Sequence, residues 1–246
     1  MADHQFADAE LAALYDTLHP WESRGDLPFY LPLVMAADAV LDVGCGTGAL
    51  LHRARDDGHR GRLCGLDPAA GMLAQARQRS DIEWVLGDLT TVAWDRKFDL
   101  VVMTGHAFQV LVTDSELLGS LRAIRSALTT TGRFAFETRN PPVRVWSHWT
   151  PSLVMETTDA AGNGVRIWHE AEPTVEGDLV SFTTTFAGAA WDGPQVSRST
   201  LRFLAVGALS AFLRDAGLTI EEQFGDWSRA PLTDTSPEII TIASRS

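Results

Sequence analysis

The chain of 246 residues is nearly without lysine. Lys97 is the only one, so almost all of the 20 Lys+Arg charges are arginine. Against 32 acidic side chains this leaves a net charge of −12. A field of that sign repels phosphate backbones, so no nucleic-acid partner is expected. There are two cysteines, Cys45 and Cys64, too few for a disulfide framework and without the spacing of a metal site. Both read as reduced thiols of a cytoplasmic protein, and no metal is expected. No apolar run approaches the roughly 18 residues of a membrane helix, so no membrane partner is expected either. The opening residues lack a basic region followed by an apolar stretch, and no secretory leader is expected from them. Internal repeats and low-complexity tracts are absent. What remains is an ordinary globular composition, 45% hydrophobic and 21% charged.

The first forty residues read as helical. Leu11, Leu14, Tyr15 and Leu18 recur at helical spacing before Pro20, and a second short helix is expected over residues 28–37. Ala39 to Val43 is a short apolar run that enters a glycine-rich turn, as a buried strand does. From there strands and helices alternate: strands at 62–66, 82–86, 98–103 and 132–137, helices at 50–57, 69–79 and 116–128. That alternation predicts a doubly wound, Rossmann-like α/β fold with a parallel sheet covered on both faces. After Asn140 the rhythm breaks at Pro141-Pro142. Residues 153–204 favour strands separated by turns at Gly162-Asn163-Gly164 and Glu176-Gly177-Asp178, which predicts a small antiparallel β insertion. A helix over 206–216 and strands at 218–224 and 238–242 resume the α/β pattern. The expected organisation is therefore an N-terminal helical segment (1–38), an α/β core (39–140 and 205–246) and an inserted sheet (141–204).

In open α/β sheets a ligand sits beyond the carboxyl ends of the strands. Three acidic residues stand at such ends. Asp42 precedes the turn Gly44-Cys45-Gly46-Thr47-Gly48, whose glycines allow positive φ and a close approach to the backbone. The spacing is neither the G-x-G-x-x-G of nicotinamide enzymes nor a P-loop. Asp67, in Gly65-Leu66-Asp67, can accept hydrogen bonds from both hydroxyls of a ribose. Asp88, in Gly87-Asp88-Leu89, can meet an adenine amino group. Each is weak alone, because Asp is common in turns; three at consecutive strand ends point to a nucleoside-like ligand.

These segments, with Phe98 to Val102 and residues 128–136, resemble the class I S-adenosylmethionine-dependent methyltransferases, in the family's order over about residues 39–139. The resemblance implies a seven-stranded sheet with an antiparallel last strand and S-adenosyl-L-methionine as cofactor. It implies that Asp42 and the loop of Gly44, Cys45, Gly46 and Gly48 hold the methionine portion. Asp67, with Pro68 beside it, would bind the ribose, Met72 would pack near the adenine, and Asp88 with the Leu89 backbone would read its edge. Leu128-Thr129-Thr130-Thr131-Gly132 departs from the family's usual Leu-Lys-Pro-Gly-Gly turn, which lies away from the cofactor. The N-terminal segment would fold over the cofactor as a lid. Tyr15 is the lid contact, although it shares an apolar face with Leu11 and Leu14 that packing alone would explain.

The expected reaction is methyl transfer to a nitrogen or oxygen of a small-molecule acceptor, by in-line displacement. His106 ends the fourth strand near the transferable methyl, with Thr104 two residues before it. It can serve as a general base or merely fix the loop. Phe108, Arg139, Trp146, Trp149, Trp168 and Arg198 are the candidate walls of the acceptor site. Arg139 can grip an acidic substrate or pair with Glu137. Trp168 and His169 fall on opposite faces of one strand, so at most one points inward. Two alternatives stand beside this: an enzyme that uses the bound sulfonium only as a charge, and a non-catalytic cofactor-binding protein. A monomer or homodimer is expected.

Overall fold

The computed structural model describes residues 2–172 and 176–246. Before Pro20 the chain does not form the single helix expected. It folds as three short helices, α1 (His4–Ala7), α2 (Ala9–Ala12) and α3 (Tyr15–Leu18), followed by α4 (Asp26–Met35). Asp8 ends α1 in extended conformation and caps α2 through its carboxylate, which accepts from Glu10 and Leu11 N–H. Tyr15 packs with Ala12 and Met72, apart from the cluster of Leu11 and Leu14.

The core elements follow in the expected order: β1 (Ala39–Val43), α5 (Ala49–Asp56), β2 (Arg62–Asp67), α6 (Ala70–Ala76), β3 (Glu83–Leu86), β4 (Phe98–Met103), α7 (Asp114–Ala127) and β5 (Leu128–Arg139). Thr113 and Glu116 close α7 with a capping box. Residues 128–131, expected as a turn, belong to β5. Four antiparallel strands come next, β6 (Met155–Thr158), β7 (Gly164–Ala171), β8 (Leu179–Gly188) and β9 (Gln195–Arg202). Then α8 (Val206–Asp215), β10 (Leu218–Phe224) and β11 (Glu238–Arg245) complete the chain.

The main sheet has seven strands in the order β10-β11-β5-β4-β1-β2-β3, with β11 antiparallel to both neighbours. Chain progression reverses between β1 and β4, which opens a crevice at their carboxyl ends. The sheet is buried on both sides. Leu41, Val43, Val101, Met103, Phe134 and Phe136 pack beneath α7 and α8, while Val40, Leu100, Val102 and Ala135 pack beneath α4 and α5. Phe136 is stacked between Phe108 at 4.3 Å and Phe134 at 4.5 Å.

The second sheet, β6-β7-β8-β9, turns one face inward. Val165, Ile167 and Phe186 on that face pack against Leu11 and Leu14. The first helix is tied to the same sheet by polar contacts: Ser199 Oγ donates to Asp3, and the Gln5 N–H donates to Ser197 Oγ. The N-terminal segment is thus wedged between the second sheet and the carboxyl edge of the first.

Phe136→Ala removes the middle of the aromatic stack and is expected to cost about 3–5 kcal/mol. Urea unfolding followed by circular dichroism checks this; a loss under about 1 kcal/mol would show that the stack is not a structural centre.

Candidate functional site

β1 ends at Asp42 and Val43, and the chain turns through Gly44, Gly46 and Gly48, all at positive φ. A Cβ on Gly44 would meet Ala107 at 2.7 Å, and one on Gly48 would meet the Trp84 ring at 2.4 Å, so the loop admits no side chain at either place. The Gly44 N–H donates to the Leu66 carbonyl at 2.7 Å. Asp67 pins the loop from the neighbouring strand. Its Oδ2 accepts from Gly46 N–H and its Oδ1 from Ala69 N–H, both at 2.8 Å. Burial pushes the Asp67 carboxyl above its ordinary range.

Asp42 is more isolated. It is 1% exposed, and its Oδ1 is sealed without a partner. Burial first, and then the nearby Asp67 carboxylate, push its pKa up to about 7. A buried acceptor of this kind calls for a donor, and no group of the described residues donates to this oxygen. Asp42, Gly44, Cys45, Gly46 and Thr104 line one small cavity, together with Tyr15 and Arg24 from the N-terminal segment. The cavity is small, about 30 Å³. The wall that closes it is the N-terminal segment: Thr47 Oγ1 donates to Asp16 of α3 at 2.6 Å.

The remaining expected cofactor residues follow the ends of β2 and β3. Met72 is buried between Tyr15, Phe6 and Ala12, with its Cε 3.4 Å from where a Gly46 Cβ would lie. Pro68 is exposed beside Asp67. Asp88 is exposed, and its Oδ1 accepts from Thr90 and Thr91, which holds its pKa below the usual range. Leu89 packs on the core from partial burial. The Cys45 thiol is pushed well up by burial and does not ionise near neutral pH.

His106 stands at the end of β4 with φ 64°, a left-handed conformation unusual for a residue with a side chain. Two carboxylates hold it there. The His106 N–H donates to Glu137 Oε1 at 2.6 Å, and Glu137 also accepts from the Tyr30 hydroxyl. The His106 ring Nε2 lies 3.0 Å from Glu238 Oε2, at the start of β11. Burial pulls the imidazole down to about 3 and pushes Glu238 up to about 8, so both favour their neutral forms.

Arg139, in register with Glu238, does not pair with Glu137. Its Nη1 donates to Gln109 Oε1 at 3.0 Å, and its guanidinium lies 5.7 Å from the centre of the Trp149 ring. Trp149 packs on Phe182 of the second sheet at 4.6 Å.

Four expected wall residues are elsewhere. Phe108 is buried in the core against Phe136, because its ring completes the aromatic stack. Trp168 alternates with Ile167 and His169 and so lies on the outer face of β7; His169 is the inward residue, bonded to Thr184 Oγ1. Arg198 alternates with the inward Ser197 and Ser199, and pairs on the outside with Glu172. Trp146 is packed edge-on against Phe203 and lines a separate apolar cavity of about 310 Å³ with Pro141, Val180 and Ala208.

Sequence reasoning missed Arg24, Asp26, Gln109 and Glu238. Arg24 and Asp26 form a buried pair in which the aspartate is held below its usual pKa although burial opposes this. A charged residue opening an otherwise apolar last strand was the available signal for Glu238.

Among the described residues no His, Cys, Asp and Glu cluster could hold a metal ion, and no helix is long and apolar enough to cross a membrane.

Residues 40–132 match the family model described as a methyltransferase domain. The cypemycin N-terminal methyltransferase of a Streptomyces species is 31% identical over 221 residues, which cover 84% of this chain and 82% of that protein. The 2-phytyl-1,4-naphtoquinone methyltransferase of Thermosynechococcus vestitus is 35% identical over 149 residues, 55% of this chain and 64% of that protein; the chain spans less than two thirds of this relative. An S-adenosylmethionine-dependent methyltransferase structure from Clostridium acetobutylicum superposes with a TM-score of 0.74 at 18% identity, over 96% of this chain and 97% of that one, and shares the fold.

Glu238 sets a pH dependence of stability. A folded carboxyl held up at about 8 binds a proton that the unfolded chain releases near the ordinary value of 4.5, so stability falls as pH rises through the folded value. His106 has the opposite sign, but its contribution is complete above the unfolded value of 6.5. Between pH 6.5 and 8 the net change is therefore a loss. Glu238→Gln is expected to flatten that loss in denaturation midpoints; an unchanged slope would show that Glu238 ionises freely in the folded protein.

Proposed function

The chain belongs to the class I S-adenosylmethionine-dependent methyltransferases, and on that premise we propose that it moves the methyl group of S-adenosylmethionine to a nitrogen or oxygen of a small-molecule acceptor in the cytoplasm. The observation that carries the reading is the sealed, unpartnered Asp42 oxygen beside a glycine loop pinned by Asp67. The donor set fits the cofactor. Asp42 is a buried acceptor for a positive or donating group, and Asp67 keeps free lone pairs for paired hydroxyls after accepting two backbone N–H groups. The loop backbone allows close approach. When bound, the cofactor supplies an electrophilic methyl, which bonds to the acceptor's lone pair as the electrons of the breaking carbon–sulfur bond return to sulfur.

The chain's own part is to orient, to exclude water and to manage a proton. Tyr15 and Arg24 close the cavity from the N-terminal side, so this segment acts as a lid that gives way when the cofactor enters. Residues 141–204 cover the acceptor side through Trp149, Phe182 and His169. His106 takes the acceptor's proton, with Glu238 behind it. A base backed by Glu238 strengthens as that carboxyl ionises, so turnover on a protonated acceptor rises with pH toward about 8. The names of the relatives, one an N-terminal methyltransferase and one a quinone methyltransferase, support a nitrogen or a small-molecule acceptor without choosing between them.

Calorimetric titration with S-adenosylmethionine and S-adenosylhomocysteine tests the premise. Binding of both is expected, and Asp67→Asn should weaken it by about 10- to 100-fold, the loss of a charged hydrogen-bond acceptor. A folded sample that binds neither would overturn the reading. His106→Ala should lower kcat and remove its rise with pH while leaving cofactor affinity nearly unchanged; an unaltered pH profile would remove His106 as the base.

A further inference from the structure

One cation in the site lacks an anion. Arg24 is paired with Asp26, and Arg202 with Asp114 and Asp178. Arg139 has no carboxylate within ion-pair distance among the described residues. The acids nearest to it are committed: Glu137 to Tyr30 and the His106 N–H, and Glu238 to the His106 ring. Its own partners are neutral. Gln109 is fully buried, and its amide nitrogen donates to the Arg202 carbonyl at 2.9 Å, which fixes its oxygen toward Arg139. The Trp149 ring supports the guanidinium from the side. Arg139 is therefore clamped between an amide and an indole with most of its N–H donors unused.

Those donors are not sealed. The sealed, unpartnered side-chain atoms among the described residues are Asp42 Oδ1, Arg55 Nε, His59 Nδ1, Thr138 Oγ1 and Arg202 Nη1, and no Arg139 nitrogen is one of them. They open on accessible space. The charge of Arg139 acts on Tyr15, His106 and His169 at once, which places it between the cofactor cavity, the end of β4 and the inner face of the second sheet. A largely desolvated cation without a counter-ion is unfavourable, and in a protein of net charge −12 an anion reaches it only where the local arrangement favours one.

Resting on the methyl-transfer reading above, we propose that the acceptor is a small-molecule carboxylate, and that Arg139, held by Gln109 and Trp149, grips its carboxylate group as a planar fork. The grip breaks no bond. Methyl transfer proceeds as described, with one bond formed to the acceptor atom and one broken at sulfur. Arginine suits the task because its fork meets both carboxylate oxygens, which a lysine ammonium cannot do.

The test uses the full chain saturated with S-adenosylhomocysteine. Benzoate, salicylate and short 2-hydroxy acids are compared with their matching carboxamides by thermal shift, and with S-adenosylmethionine by mass-spectrometric detection of methylated product. The acids should raise Tm and the amides should not, and any methylated acid should be preferred over its amide by at least tenfold. Arg139→Gln should abolish the shift by acids and raise their KM at least tenfold; Arg139→Lys should restore only part. Cofactor affinity by calorimetry should stay within about twofold in both variants, which also shows that they fold. Amides that act as well as acids, or acids that give no shift across the panel in protein that binds S-adenosylhomocysteine, overturn the proposal. A loss of cofactor affinity in Arg139→Gln as large as the loss for acids also overturns it, because Arg139 would then belong to the cofactor site. Failure of the wild-type protein to bind S-adenosylhomocysteine strikes the premise instead.

Discussion

A single buried carboxylate, Glu137, ties together parts of the chain that would otherwise meet only by contact. It sits on β5 and accepts from the Tyr30 hydroxyl on α4 and from the backbone N–H of His106 beyond β4. A charge or acid in that position is tolerable only when it is hydrogen-bonded, because desolvation penalises it heavily. Its two donors therefore do more than satisfy it. One fixes the N-terminal segment against the sheet. The other holds a residue in left-handed conformation at the rim, with its ring turned to Glu238. The arrangement of the rim around His106 follows from this carboxylate.

The glycine loop after β1 depends on a different use of donors. Asp67 shapes the loop through two backbone N–H groups and keeps lone pairs to spare, whereas the Asp42 oxygen Oδ1 is wholly unused by the described residues. Tyr15, Arg24 and Leu27 of the N-terminal segment line the small cavity beside this loop.

Much of this was legible from residues alone. Apolar runs with glycine turns located the strands, and their alternation with helices located the sheet's carboxyl edge, where Asp42, Asp67 and Thr104 stand. The antiparallel insertion was legible from Gly162-Asn163-Gly164 and the strand-like run after Leu179. Three kinds of information were not. Helical spacing at Leu11, Leu14, Tyr15 and Leu18 could not show that Asp8 interrupts the first helices, because a cap and a surface aspartate look alike in sequence. Alternation showed that only one of Trp168 and His169 faces inward, but the choice of face is set by packing on Leu11 and Leu14. Phe108 followed a strand end and looked like a wall residue, yet its ring is drawn into the core by Phe134 and Phe136. The Glu238 contact joins residues 132 positions apart and is a product of the final strand's register.

The wedge formed by the first helices has a consequence for how the molecule is made. Asp3 and Gln5 find their partners on β9, at separations of 196 and 192 residues. At translation rates of ~5–20 residues per second, α1 leaves the ribosome roughly 10–40 s before the strand that receives it. Over that interval Leu11 and Leu14 have no second sheet to cover them. The segment synthesised early is thus seated late, and it spends its wait as an exposed apolar stretch of the kind that chaperones bind.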